Sequence, residues 1–162
     1  MKLSELVPEG GIVTSLKGPT RDAAVGELVD ALCAAGAASA ADRDELVAKV
    51  LDRERKGSTG FGQGIAVPHV KHKSVRRIAA AVGLSAGGID FTSLDRQPVY
   101  SIVLLLSPED QPDPHLEAMK VIFDNLSKPT FRRFLRQAGT VQDVRVLLEE
   151  ADAALGGSGP MI

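Results

Sequence analysis

The segment from Val99 to Leu106 is the most hydrophobic part of the chain and constrains the fold most strongly. Its apolar residues run almost without interruption, so both faces of an extended strand there are apolar. Such a strand is typical of the centre of a sheet that helices cover on both sides. We therefore expect a layered α/β domain built around this strand.

Further strands and helices alternate along the chain. Shorter apolar runs predict strands at residues 12–16, 65–67, 78–84 and 89–91. Capping residues followed by apolar residues at helical spacing predict helices that begin at Thr20, Ser39, Asp113, Thr130 and Thr140. In the last three helices, we expect the buried stripes to be Leu116, Met119, Phe123 and Leu126, then Phe131, Phe134 and Leu135, then Val144, Leu147 and Leu148.

Composition limits the class of protein. The chain has 162 residues, of which 44% are hydrophobic and 25% are charged, the balance of a single globular domain. The net charge of −2 and the low aromatic content of 4% argue against a nucleic-acid-binding protein. Cys33 is the only cysteine, which excludes an internal disulfide and a cysteine-cluster metal site.

The two ends of the chain allow further predictions. The N-terminus has no apolar signal-peptide core, and no apolar run approaches the roughly 20 residues that cross a bilayer. We therefore expect a cytoplasmic protein without membrane insertion. The sequence Gly-Gly-Ser-Gly-Pro at 156–160 predicts a flexible tail over residues 156–162, which leaves a domain of residues 1–155.

A glycine-dense stretch from Gly57 to Gly64 lies between the second predicted helix and the strand at 65–67. It lacks the Gly-Lys-Ser/Thr ending of a P-loop, and it follows a helix, whereas the dinucleotide-binding motif follows a strand. One interpretation is a flexible turn. The other is a loop whose backbone approaches a bound anion, with the hydroxyls of Ser58 and Thr59 as donors.

Two histidines lie where they could react or bind. His69 follows Val67-Pro68, and proline restricts both residues, so His69 is expected at the end of a strand. Its imidazole is half-neutral and nucleophilic near pH 7. His115 lies in a predicted first helical turn, where a neutral imidazole is favoured and can donate to an anion. The alternatives are a surface residue for His69 and an exposed polar residue for His115.

The third histidine, His72, lies in the basic segment from Lys71 to Arg77. A zinc site made of the three histidines would place two lysines beside a dication and no carboxylate beside the first two ligands, which argues against it. The segment is interpreted either as a solvated loop or as a docking patch for an acidic or phosphorylated partner.

Several short stretches carry a family resemblance. They are LDRE at 51–54, GSTGFG at 57–62, IAVPH at 65–69, GIDF at 88–91, DRQPV at 95–99, LLLSP at 104–108 and HL at 115–116. In this order and spacing, the chain resembles the type 2 EIIA domains of the bacterial phosphoenolpyruvate-dependent phosphotransferase system. The resemblance extends from about Ile12 to Ala151, and includes the mannitol/fructose class and its nitrogen-regulatory branch.

The resemblance implies a mixed β-sheet of about five strands flanked by helices, and a phosphohistidine carrier that needs no metal or cofactor. His69 matches the phosphoacceptor, His115 the second active-site histidine, and Arg53 the arginine of the family's Arg-Glu pair. We expect His115 to donate to the phosphoryl oxygens and Arg53 to clamp their charge. The weaker phosphate-binding groups are expected to be Thr59, Ser58 and Gly60.

Three hypotheses for the function follow. The first is a free-standing phosphocarrier of the nitrogen-regulatory kind, since 162 residues leave no room for a fused transporter domain. It accepts phosphate from an HPr-type phosphocarrier protein and binds a regulated protein according to its phosphorylation state, as a phosphotransferase component rather than a free-standing catalyst. The second is a fructose- or mannitol-class sugar-uptake EIIA that passes phosphate to a separate EIIB. The third is a binding module that has lost the transfer.

Overall fold

A mixed five-stranded sheet forms the middle layer of the computed structural model, which describes residues 1–156. The strands are β1 (Ile12–Val13), β2 (Ile65–Ala66), β3 (His69–His72), β4 (Ala79–Ile89) and β5 (Val99–Pro108). The helices are α1 (Leu3–Leu6), α2 (Arg21–Ala34), α3 (Arg43–Lys56), α4 (Pro112–Leu126), α5 (Pro129–Gln137) and α6 (Val141–Gly156). The predicted α/β fold, a single domain with helices flanking a mixed sheet, is confirmed.

The sheet runs in the order β1, β4, β5 and then β2 with β3, which pair one after the other along the same side of β5. β4 and β5 are antiparallel, and the other pairs are parallel. Pro68 interrupts the outer strand between β2 and β3, and its carbonyl accepts a hydrogen bond of 3.0 Å from the Leu105 N–H. His69 therefore begins a strand, and the prediction that it ends one was wrong.

The central, doubly covered position predicted for residues 99–106 is confirmed. Ile102, Leu104 and Leu106 pack into a core with α2 and α3, whereas Val103 and Leu105 pack into a second core with α4, α5 and α6. All five residues are buried. Because a strand's side chains alternate between faces, a segment covered on both faces needs apolar residues at every position.

The two strands predicted at 78–84 and 89–91 are a single strand, β4. Its register against β5 shifts between Leu84 and Ile89, and Gly88 there has a φ of 82°. A Cβ on Gly88 would lie 2.8 Å from the Cβ of Pro98, so the close approach also requires glycine. The glycines therefore bulge the strand instead of ending it. β1 is shorter than predicted and spans only Ile12–Val13.

Helix α4 buries a different face from the one predicted. Leu116 is 66% exposed, whereas His115 is only 6% exposed and lies on the buried face. That face continues with Ala118, Ile122 and Leu126, while Met119 and Phe123 are only partly buried. The helix also begins at Pro112 instead of being capped by Asp113. Hydrophobic periodicity assigns leucine to the core, but an imidazole that has a hydrogen-bond partner can be buried in its place.

The remaining differences concern the helices and the ends of the chain. Helix α5 begins at Pro129, and its Phe134 is 50% exposed rather than buried. Helix α1 and a 3-10 turn at Ala40–Asp42 were not predicted. Helix α6 extends through Gly156, and the rest of the predicted tail, residues 157–162, lies outside the described residues. Within residues 1–156, every helix is too short or too polar to serve as a membrane span.

Candidate functional site

His69 lies at the start of β3, where the break in the edge strand brings its ring close to the backbone two residues earlier. Its Nδ1 is 2.8 Å from the carbonyl oxygen of Val67. A carbonyl oxygen can only accept, so Nδ1 carries the ring proton and donates it. The lone pair of a neutral imidazole is then on Nε2, which is left available to react.

The surroundings of His69 favour the neutral ring. Burial lowers the pKa of this half-buried histidine, and the positive charge of Arg53 lowers it further. The hydrogen bond to the Val67 carbonyl and the charge of Glu54 act in the opposite direction but do not cancel the decrease. The Nε2 lone pair is therefore unprotonated near pH 7, as a nucleophile requires.

His115 faces the same site from the first turn of α4. The centroids of the His69 and His115 rings are 5.6 Å apart, with the ring planes at 47°. Burial, together with the nearby His69 and Lys71, lowers the pKa of His115 to about 4. Its Nδ1 is 2.6 Å from the hydroxyl of Ser107, which lies near the end of β5 and is completely buried. The site therefore holds two neutral imidazoles side by side.

Arg53 and Glu54 occupy the last turn of α3 and differ in their exposure. Arg53 is exposed, and its Nη1 donates a hydrogen bond of 2.9 Å to the Gly57 carbonyl, which also places a cation at the helix C-terminus. Glu54 is 2% exposed. Its two carboxylate oxygens accept from the backbone N–H and from the hydroxyl of Thr59, each at 2.7 Å. The helix end is thereby tied to the glycine stretch.

The glycine stretch is held by hydrogen bonds of its own. The Ser58 hydroxyl donates to the Phe91 carbonyl at 2.6 Å and accepts from the Gly60 N–H at 3.0 Å. The Thr59 carbonyl accepts from the Val67 N–H at 3.3 Å. The Ser58 hydroxyl, both donors of Thr59 and the Gly60 N–H are thus engaged within the protein. The interpretation of this stretch as a flexible turn does not fit such a network.

Two residues of the site, Ser107 and Glu54, received no role from the sequence. The signal for Ser107 is a small polar residue at the end of a buried apolar strand, and the signal for Glu54 is its place beside Arg53. The role of the Val67 carbonyl could not be predicted in this way, because every residue has a backbone carbonyl whatever its side chain.

His72 is not part of the site. Its Nδ1 is 2.8 Å from the Ser74 hydroxyl, and its Nε2 is 3.6 Å from a carboxylate oxygen of Glu45 on α3. In the part of the chain that the structure describes, no three side chains of His, Cys, Asp or Glu are grouped as metal ligands. The first two residues of the basic segment, Lys71 and His72, belong to β3. The interpretation of the segment as a loop was therefore wrong for these two residues.

Fold and site together define the class: a mixed-sheet α/β domain that presents a half-buried histidine with an unprotonated Nε2 beside a second, buried histidine. The family model of the phosphoenolpyruvate-dependent sugar phosphotransferase system, EIIA 2, matches residues 5–151. The chain belongs to this EIIA type 2 family.

Relatives from two branches of the family are similar to the chain. The fructose-specific EIIA component of Haloferax volcanii is 33% identical, over 84% of this chain and 88% of that protein. The nitrogen regulatory protein of Bradyrhizobium diazoefficiens is 32% identical, over 91% of this chain and 95% of that protein. The fructose-specific EIIABC component of Bacillus subtilis is 32% identical over 94% of this chain, which spans only 24% of that protein.

Solved structures agree with the family. The nitrogen regulatory protein IIA-Ntr from Neisseria meningitidis is 27% identical and superposes with a TM-score of 0.80, over 90% of this chain and 97% of that chain. The fold alone is shared with IIA mannitol in its complex with phosphorylated IIB mannitol from Escherichia coli. That match has 20% identity and a TM-score of 0.75, over 89% of this chain and 97% of that one.

Proposed function

We propose that the chain is a phosphohistidine carrier that accepts a phosphoryl group on Nε2 of His69. The observation that carries the proposal is the 2.8 Å hydrogen bond from Nδ1 of His69 to the Val67 carbonyl. It fixes the ring orientation and leaves the lone pair on the other nitrogen. A phosphoryl acceptor needs this arrangement, because transfer depends mainly on positioning and on stabilisation of charge.

In the transfer step, the His69 Nε2 lone pair forms a bond to phosphorus while the phosphorus–nitrogen bond of the donor's phosphohistidine breaks. The electron pair of that bond returns to the donor imidazole. His115 donates a hydrogen bond to the phosphoryl oxygens, and the exposed guanidinium of Arg53 stabilises their negative charge. Thr59, Ser58 and Gly60 support the site through their own network, and Thr59 links Glu54 to the backbone of Val67.

The donor in this proposal is an HPr-type phosphocarrier protein, and the role is regulatory, of the nitrogen type. Support comes from the nitrogen regulatory protein of Bradyrhizobium diazoefficiens, which matches this chain over nearly its whole length, and from the likeness to IIA-Ntr. The phosphorylation state of His69 would then decide whether a regulated protein binds.

A second candidate is a sugar-uptake EIIA that passes the phosphoryl group to a separate EIIB. It is favoured by the match to the fructose-specific EIIA component of Haloferax volcanii. The two roles differ in the acceptor. Rapid transfer from the phosphorylated chain to a fructose- or mannitol-type EIIB would support uptake, and its absence would support regulation.

The test is intact-mass measurement after incubation with phosphoenolpyruvate, enzyme I and HPr. We expect one acid-labile phosphate on the wild type and none on His69→Gln. His72→Gln is the matched control, because His72 lies three residues further along the same strand and should leave the labelling unchanged. A folded wild type that accepts no phosphate from cognate donors would instead support the binding-module hypothesis.

A further inference from the structure

The Ser107 hydroxyl and the His115 ring form an isolated polar pair between β5 and α4. The hydroxyl oxygen lies 2.6 Å from Nδ1 of His115. Ser107 is 0% exposed and His115 is 6% exposed. Within residues 1–156, the hydroxyl has no hydrogen-bond partner other than this nitrogen. Water does not reach the hydroxyl, so the two groups have to satisfy each other.

The direction of this hydrogen bond follows from what each group can donate. A neutral imidazole has one N–H and one lone pair, and a hydroxyl has one O–H and two lone pairs. If Nδ1 carried the proton, the Ser107 O–H would be buried with no acceptor, which is the more costly arrangement. If Ser107 donates to Nδ1, its O–H is satisfied, and the proton of the imidazole is on Nε2.

We propose that Ser107 is a positioning residue that holds His115 in the tautomer with its proton on Nε2. The two active-site rings are then complementary, since both Nδ1 atoms are hydrogen-bonded within the protein and both Nε2 atoms remain available to a phosphoryl group. His69 presents a lone pair on Nε2, and His115 presents an N–H. The opposite tautomer of His115 would present a second lone pair, which repels phosphoryl oxygens instead of donating to them.

This role rests on the proposed transfer to His69, but its structural part can be measured without phosphate. In the full, unphosphorylated chain with 15N-labelled histidine, we expect the His115 Nδ1 resonance to be that of an unprotonated imidazole nitrogen at pH 7. Ser107→Ala should give a mixture of tautomers. Ser107→Thr, which keeps the hydroxyl, should restore the wild-type signal. Ser101→Ala, another buried serine of β5, is the control and should leave the signal unchanged.

The kinetic part of the test uses the rate of phosphoryl transfer from HPr. Ser107→Ala should lower the rate by about five- to tenfold, the factor that one net hydrogen bond represents, and Ser107→Thr should recover most of it. A wild-type His115 with its proton on Nδ1, or a Ser107→Ala signal identical to that of wild type, overturns the role of Ser107. The wild-type spectrum alone decides this if a variant fails to fold. A wild type that shows the expected tautomer but accepts no phosphate overturns the proposed function instead.

Discussion

At the scale of single residues, the site depends on keeping two histidines neutral. Both rings are at least partly buried, and burial is the largest cause of the lowered pKa of each. Nearby positive charge lowers these pKa values further, from Arg53 for His69 and from Lys71 for His115. In the proposed transfer, the same environment would keep the His69 Nε2 lone pair available and would stabilise the negative charge of the phosphoryl group.

His115 should make the stability of the protein dependent on pH. Its pKa is about 4 in the folded chain, against the ordinary value of 6.5. Between these two values the unfolded state binds more protons than the folded one. The free energy of unfolding is therefore unaffected by this group above pH 6.5, and falls by about 3 kcal/mol in total as the pH decreases to 4.

Urea unfolding of the wild type and of His115→Asn across pH 4 to 7.5 measures this effect. The variant should lose less stability on acidification, because asparagine does not titrate and so binds no additional proton when the chain unfolds. Equal slopes for the two proteins would contradict the low pKa of His115.

At the scale of elements, the junction between α3 and the glycine stretch supports the site. The buried Glu54 carboxylate accepts both of its hydrogen bonds from Thr59, and Thr59 in turn accepts from the backbone of Val67. Gly60 lies against the Ser93 hydroxyl, where a Cβ would overlap it. The end of a helix, a loop and the residue that orients His69 are thereby joined in one network.

Thr59→Val should weaken this junction. The substitution removes one donor from a buried carboxylate, so we expect the free energy of unfolding to fall by about 1–3 kcal/mol, with slower phosphorylation of His69. Thr59→Ser keeps the hydroxyl and should stay close to the wild type in both respects. Denaturant unfolding and the mass-based phosphorylation assay measure the two effects, and a valine variant that matches the serine variant would rule out the role of the hydroxyl.

At the scale of the whole molecule, the first and last helices, α1 and α6, contact each other on one side of the sheet. Arg145 of α6 donates from Nη1 to the carbonyls of Ser4 and Val7, at 3.0 and 2.9 Å. Its Nη2 donates to the Pro8 carbonyl at 3.3 Å. Ser4 in turn donates from both its backbone N–H and its hydroxyl to Asp152. A four-residue helix is too short to be stable alone, so these contacts hold it in place.

Arg145→Leu should release this end of the chain. We expect a loss of about 2–3 kcal/mol in the free energy of unfolding, since hydrogen bonds from a charged donor to three carbonyls are lost. Amide exchange of residues 3–7 should become faster, while exchange in β4 and β5 changes only with global stability. Arg133→Leu, on the surface of α5, is the control and should change stability by less than about 0.5 kcal/mol. Unchanged exchange at residues 3–7 would contradict the role of Arg145 in holding the N-terminal helix.

Features with a local cause could be predicted from the sequence. The apolar continuity of residues 99–106 revealed the central strand, because alternation is lost only when both faces are covered. Most helices were found because caps and helical spacing act within one or two turns. Recognition of His69, His115 and Arg53 as site candidates came from motifs that are short and contiguous in the chain.

Only the tertiary structure decided two kinds of contact, those between elements distant in the chain and those made by backbone groups. The burial of His115 in place of Leu116 depends on Ser107, which belongs to another element. The orientation of the His69 ring depends on a backbone carbonyl, and the continuity of β4 depends on a bulge against β5. By itself, the sequence determined the layered fold and the candidate site residues, because residue type and spacing are properties of a segment. Tautomer, proton position and hydrogen-bond partner were decided by the tertiary structure, because each is a property of two groups that meet only in the folded chain.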